Sequence, residues 1–265
     1  HMLVGSTHDY ILFFTQAGQC YWLRVHEIPQ AGRAARGKAI VNILQLGKGE
    51  CIQAFVTVRE FDEDHSIVMA TRRGVVKKTS LAAFSHPRRG GIRAMAVDDD
   101  DELIAASITD GNCDIFLGKR LGKAVRFHEN DVREMGRTAR GVRGTQLVKG
   151  DEVVAMAAVV GQEGTILTVT ENGYGKRTLI SDYRVTKRGG KGVISIKASK
   201  RNGKVVAVRI VNDSDNIMIM TANGVMIRLP VSGISVIGRN TQGVRIINLA
   251  SGDRVVDVAR VPSEE

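Results

Sequence analysis

Residues 164–195 read GTILTVTENGYGKRTLISDYRVTKRGGKGVIS, and relatives of this stretch recur along the whole chain. Aligning Gly173 with Gly18, Gly74, Gly122 and Gly224 brings five copies into register, at spacings of 56, 48, 51 and 51 residues. An isoleucine stands seven residues before each anchor: Ile11, Ile67, Ile115, Ile166 and Ile217. A threonine stands three before it in four copies (Thr15, Thr71, Thr170, Thr221), with Lys119 in its place in the third. An arginine stands fifteen after it in all five (Arg33, Arg89, Arg137, Arg188, Arg239), although arginine is only 25 of 265 residues. A fixed period near fifty is the signature of a propeller or comparable repeat array.

Each anchor sits between two β-rich runs, as in 166–170 with 174–179, which predicts a hairpin. Asn172-Gly173 and Asn223-Gly224 predict the tightest turns, because both residue types tolerate positive φ. A short polar bend follows each hairpin, then a basic glycine loop: 32–38, 88–93, 136–143, 187–192 and 238–245. A second strand pair is expected after each loop: 40–46 with 51–58, 93–97 with 103–108, 142–147 with 153–160, 193–198 with 205–211, and 244–249 with 255–261. Each unit then supplies about four strands, one blade of a propeller. His1 and Met2 read as a cloning remnant, and residues 3–265 as a single domain.

Twenty-nine glycines and four prolines suit many tight turns between short strands, and no apolar run reaches the length of a membrane span. Cys20, Cys51 and Cys113 are odd in number and widely spaced, which fits reduced cysteines in strands or core. His8, His26, His65, His86 and His128 share no metal-ligand spacing, and the Gly-rich runs lack the lysine-plus-hydroxyl ending of a phosphate loop. No nucleophile-elbow pattern is present, so the sequence offers no catalytic residue, no cofactor site and no metal site. The acidic run 98–102 reads as a solvated turn.

The positive charge is the informative feature. Thirty-eight Lys and Arg against 28 Asp and Glu leave a formal charge of +10, which points to a polyanionic partner. The cations are phased with the repeat. Four residues past the anchor stand Lys78, Arg126, Arg177 and Arg228, with Trp22 as the exception in the first copy. Lys77, Lys176 and Lys123 lie beside them, and the loops add Arg33, Arg36, Lys38, Arg88, Arg89, Arg93, Arg137, Arg140, Arg143, Lys187, Arg188, Lys191, Arg239 and Arg245. On a ring of blades such positions trace a positive belt, and glycines let the backbone approach phosphate closely. Aromatic residues are 5% of the chain and do not interleave with the loops, which favours duplex DNA held by its phosphates over stacked single strands.

YGKRT at 174–178, KRGGKGVIS at 187–195 and GRNTQGV at 238–244 closely resemble the C-terminal domain of bacterial DNA gyrase A. So do YWLR at 21–24 with ARG at 35–37, and MG at 135–136 with GVRG at 141–144. The resemblance covers 7–261, and the related domain of topoisomerase IV is its nearest confusable relative. It implies an all-β pinwheel, a propeller-like disc of four-stranded blades that exchange strands with their neighbours and bend duplex DNA around a basic edge. It implies a non-catalytic role in which the wrapped segment is presented for ATP-dependent strand passage and negative supercoiling. ATP and magnesium, like the cleaving tyrosine, then belong elsewhere in a holoenzyme with the rest of gyrase A and with gyrase B, in the bacterial cytoplasm near the nucleoid and without a membrane. The family pattern has six units, and its hallmark heptad of one glutamine, basic residues and glycines belongs to the first. Five anchors are present here, and residues 187–192 fit the last six places of the heptad with Thr186 in place of its glutamine. This loop and 88–91 therefore read as related blade loops, the heptad itself as missing, and the ring as either five-bladed or an incomplete six. A propeller serving as a protein-interaction module is the competing function; one Trp and four Tyr weigh against a kelch-type array.

Overall fold

A computed structural model describes residues 6–30 and 37–261. The first copy gives β1 (Tyr10–Thr15), β2 (Gln19–Arg24) and β3 (Ile52–Val58); the second gives β4 (Ser66–Thr71), β5 (Val75–Ser80), β6 (Ile92–Arg93) and β7 (Leu103–Thr109). The third gives β8 (Asp114–Lys119), β9 (Lys123–His128), β10 (Val142–Arg143) and β11 (Val153–Val159). The fourth gives β12 (Thr165–Thr170), β13 (Tyr174–Leu179), β14 (Val193–Ile194) and β15 (Val205–Val211), and the fifth β16 (Asn216–Thr221), β17 (Met226–Pro230), β18 (Val244–Arg245) and β19 (Val255–Val261). No helix among the described residues is long and apolar enough to cross a membrane.

The five anchors close their hairpins in one way. The N–H of each anchor glycine donates to the carbonyl three residues back, at Thr15, Thr71, Lys119, Thr170 and Thr221, over 2.9 to 3.1 Å. All five glycines have φ between 76° and 88°, and no described non-glycine residue has positive φ. These are turns in which a left-handed glycine follows two ordinary residues, so Asn172 and Asn223 do not adopt the positive φ expected of them. The threonines have a chemical role: Thr71 and Thr221 Oγ1 accept the N–H of Val75 and Val225, at 3.1 and 3.3 Å.

The second strand pair takes a different form from the expected one. The sheets run β3-β1-β2-β6, β10-β5-β4-β7, β11-β8-β9-β14, β15-β12-β13-β18 and β17-β16-β19. The third strand of a copy does not pair with its own last strand; it crosses to the preceding hairpin. Ile92 and Arg93 pair with Cys20 and Gln19, Val193 and Ile194 with Ala124 and Lys123, and Val244 and Arg245 with Gly175 and Tyr174. This is the strand exchange that the family resemblance implies. Each lent strand is two residues long because a glycine loop turns sharply onto the neighbour. At Gly192, with φ +71°, a Cβ would lie 2.1 Å from the Ala124 carbonyl oxygen, so only glycine fits. In the first copy Ile40–Asn42 forms a 3-10 turn rather than a strand.

The first strand of each of the first four hairpins is buried on both faces, which is why β4 and β12 are buried at all six positions and their sequences do not alternate, whereas β16 alternates half-buried and buried positions. The five isoleucines seven residues before the anchors are all 1% exposed or less. Burying such a side chain contributes about 1.5–3 kcal/mol. The chain divides into two compact units, one of residues 3–111 with 132–142 and the other of 112–131 with 143–265. In the first, Leu12, Phe14, Ile67, Met69, Phe84, Met95 and Leu103 form the core between two sheets. In the second, one core gathers Phe116, Ile166, Ile180, Tyr183 and Val208, and another Leu167, Val169, Ile217, Ile219, Val231 and Val258. Cys20 and Cys113 are buried and Cys51 is exposed, and none of the three is in a disulfide. The acidic run is only partly a solvated turn. Asp101 is 7% exposed and its carboxylate accepts the Arg73 N–H, while Asp100 and Glu102 pair with Arg73 and Arg72.

Candidate nucleic-acid interface

Cations three and four residues past the anchor lie on the second strand of each hairpin, and four of those expected at an interface are inside the protein. Lys77, Lys176, Arg126 and Arg177 are 0%, 0%, 3% and 5% exposed. Arg126 pairs with Asp114 at 2.7 Å and donates to the carbonyls of Ile180 (3.0 Å), Tyr183 (3.3 Å) and Gly161 (3.1 Å). Arg177 pairs with Asp213 and donates through Nε to the Ile234 carbonyl at 2.8 Å. Both thus reach the 3-10 turn that opens the next copy's bend, Ile180–Asp182 for Arg126 and Val231–Gly233 for Arg177. Trp22 does the same without a charge, its Nε1 donating to the Phe84 carbonyl at 2.9 Å, at the end of the turn Leu81–Phe84. What this station requires is a long side chain with an N–H donor. Arg228, in the last copy, is exposed, and Lys78 is half-buried.

Three buried lysines each hold the basic loop of the following copy. Lys77 Nζ donates to the carbonyls of Ala94 (2.7 Å) and Arg137. Lys176 Nζ donates to the carbonyls of Gly238 (2.7 Å) and Arg239 (2.6 Å) and to Thr241 Oγ1 (3.2 Å). The third copy has Val125 at this place, and the ammonium comes from the facing strand instead: Lys119 donates to the carbonyls of Gln146 (3.0 Å) and Lys191 (2.8 Å). Burial, with the neighbouring Arg137 or Arg239 charge, pushes Lys77 and Lys176 down to about 8; burial also lowers Lys119. The first copy has Tyr21 there, whose hydroxyl donates to Glu50 at 2.6 Å. Burial and the Glu50 carboxylate push that phenol up to about 12.

The loops themselves keep their charge outside. Lys38, Arg88, Arg89, Arg93, Lys123, Arg143, Lys187, Lys191 and Arg228 are exposed, and none forms an ion pair among the described residues. Arg188 donates to the carbonyls of Asp131 (2.8 Å) and Arg143 (3.0 Å). Arg239 donates to the Ile194 carbonyl at 3.0 Å and lies over the Tyr183 ring. Carbonyl partners fix a guanidinium in place without cancelling its charge. Lys123, Gly192, Val193, Ile194, Arg239 and Asn240 line one hollow, which thus has two cations in its lining. Arg140, by contrast, is exposed but neutralised by Asp98, and Arg137 is half-buried. Arg33 and Arg36 lie outside the described residues.

The family model of the DNA gyrase C-terminal domain, beta-propeller, matches residues 9–57, 65–110, 120–159, 164–212 and 215–262, one segment for each copy. The chain belongs to this family. It is 50% identical to the DNA gyrase A of Salmonella typhimurium over 260 residues, which is 98% of the chain and 30% of that relative's length. Among solved structures it is similar to the C-terminal domain of DNA topoisomerase IV, with a TM-score of 0.89 and 27% identity, covering 98% of this chain and 81% of that one. It is also similar to the DNA gyrase A C-terminal domain, with a TM-score of 0.84 and 26% identity, covering 97% and 84%. The five sheets are thus the blades of an all-β gyrase-type propeller.

One group of cations in this gyrase-family chain escapes a search by phase. Lys197, Lys200, Arg201 and Lys204 crowd the connection ahead of β15 and are all exposed. The signal that could have found them is a break in the repeat: residues 50, 98–102, 151–152 and 253 place acids in the equivalent connections of the other four copies.

Proposed function

We propose that the chain binds duplex DNA through its phosphates and bends it, as the non-catalytic wrapping domain of a DNA gyrase A. The bent segment is offered for ATP-dependent strand passage that introduces negative supercoils. The rest of gyrase A and gyrase B are its partners, ATP and magnesium act in them, and the setting is the bacterial cytoplasm at the nucleoid. The observation that carries this reading is the set of glycine loops whose described cations, Arg140 excepted, have carbonyl partners or none, so their charge is left for a polyanion. Residues 3–265 act here as one wrapping domain.

Smoothly bending 20–30 base pairs by 40–90° costs about 1–6 kcal/mol, so a wrap needs phosphate contacts in series. If about eight phosphates are neutralised, log K falls against log salt with a slope of roughly −7. Nick-ligation of a relaxed circular plasmid in the presence of the protein tests the reading. A wrapping domain shifts the linking-number distribution of the closed circles; an unshifted distribution with a shallow salt slope would favour a protein-interaction propeller instead.

A further inference from the structure

In three copies, the connection ahead of the last strand holds an aspartate whose carboxylate binds the hairpin turn. Asp101 accepts the Arg73 N–H (2.8 Å), Asp151 the Leu121 N–H (2.9 Å) and Asp253 the Asn223 N–H (3.1 Å), each two residues before its strand. The fourth copy has Gly203 at this place, and the Asn202 carbonyl accepts the Asn172 N–H instead, at 3.3 Å. The connection has exchanged its acid for Lys200, Arg201 and Lys204.

The exchange comes with its own scaffold. Asn202 is fully buried; its Nδ2 donates to the carbonyls of Lys197 (3.0 Å) and Gln242 (2.9 Å), and its Oδ1 accepts from Ser199 N (2.8 Å) and Oγ (2.9 Å). Asn172 Nδ2 donates to the carbonyls of Lys200 (3.3 Å) and Arg201 (3.2 Å). On this backbone, Arg201 Cζ lies 5.1 Å from the centre of the Tyr174 ring, and Arg245 Cζ 5.3 Å from it. Arg201 Nε and Arg245 Nη2 both donate to the Tyr174 hydroxyl, at 3.3 and 2.9 Å. Neither guanidinium has a carboxylate partner among the described residues, and Glu171, the nearby acid, accepts the Lys204 N–H. Two cations therefore converge on one neutral oxygen whose own proton has no acceptor among the described residues. Hydrogen bonds from Arg201 and Arg245 hold the Tyr174 phenol below its ordinary value, as expected where positive charge lacks a counter-anion.

We propose that Arg201, Tyr174 and Arg245 form a clamp for an oxyanion, namely a phosphodiester of duplex DNA, with Lys200 and Lys204 beside it. Two guanidiniums with spare N–H donors and one phenol O–H match the oxygens of a single phosphate, and cation–π contact keeps the arginines in place before it arrives. The clamp deepens the DNA-wrapping reading and rests on it, adding a contact off the phase of the glycine loops.

The test compares the wild type with R201A/R245A and with Y174F, titrating duplex DNA of random sequence at several salt concentrations, with thermal unfolding as the check on folding. The double variant is expected to lose affinity and to bind with a log K–log salt slope shallower by roughly 1, because the two arginines share one phosphate. Y174F keeps the ring and is expected to lose affinity by a smaller factor. The Tyr174 phenolate, isolated as the difference between wild type and Y174F in ultraviolet titration, should form at higher pH when DNA is bound. A steep wild-type slope that the double variant leaves unchanged overturns the clamp alone. Absent wild-type binding overturns the DNA reading and the clamp with it. If inorganic phosphate alone moves the phenol and DNA does not, the site serves a free anion and the DNA assignment fails.

Discussion

Arg177 and Arg188 lie 11 residues apart in the same copy, and both recur in phase with the repeat. Arg177 sits on β13 and is 5% exposed, bound to Asp213 and to the next copy's turn; Arg188 sits in the glycine loop, exposed, with only carbonyls for partners. Periodic positive charge has two physical causes here. On the strand, a long N–H-bearing side chain is needed wherever the following copy lays a turn across it, and arginine, lysine or tryptophan can serve. In the loop, backbone bends at glycine and, Arg140 beside Asp98 excepted, the described cations meet no acid, so the charge stays available. Recurrence alone does not separate the two; burial and the identity of the acceptor do.

The comparison breaks first if the strand cations prove dispensable to folding. Arg126→Ala strands Asp114 and frees three carbonyls, and should cost about 3–5 kcal/mol in urea unfolding, the loss typical of a broken buried pair. Lys176→Met leaves the Arg239 carbonyl and Thr241 Oγ1 without their donor, and the Gly238 carbonyl with Thr241 alone, and should cost about 1–3 kcal/mol at neutral pH. Its pH dependence sharpens the point. The folded lysine titrates at about 8 and the unfolded one at 10.5, so between those values the unfolded chain binds more protons and wild-type stability rises with pH. The wild-type advantage over Lys176→Met should therefore widen from pH 8 to pH 10, and a constant gap would show that Lys176 is not a buried cation. Loop cations should give the smallest stability effect. Lys187→Ala with Lys191→Ala should change unfolding by less than about 0.5 kcal/mol while making the DNA-binding salt slope shallower by roughly 1 for each residue.

Local features of the fold were legible in the sequence because they are decided within one hairpin. Anchor glycines, the threonines that cap them and the isoleucines at the core all fall where the repeat puts them. Features decided between copies were hidden. Nothing in residues 92–95 says that they pair with Gly18, Gln19 and Cys20 rather than forward with β7, and nothing in the spacing says that a turn covers Arg126 and Arg177. The same holds for Lys119, which reads as a missing threonine and is a lysine recruited from the facing strand to hold the same kind of loop. At the candidate interface, the glycine loops were legible by composition. Arg201 was not, because a search for what repeats passes over what departs from the repeat.

The lent strand also sets an order in time. The sheet of β8, β9 and β11 has all of its own strands once Val159 has left the ribosome, yet its fourth, β14, ends 35 residues later at Ile194. At translation rates of about 5–20 residues per second, the free edge of β9 waits roughly 2–7 s for its partner. Lys187, Arg188 and Lys191 emerge immediately ahead of that partner. A nascent blade thus gains its charged loop and its closing strand in one step, and an interrupted chain would carry a sticky, open edge without the grip on nucleic acid.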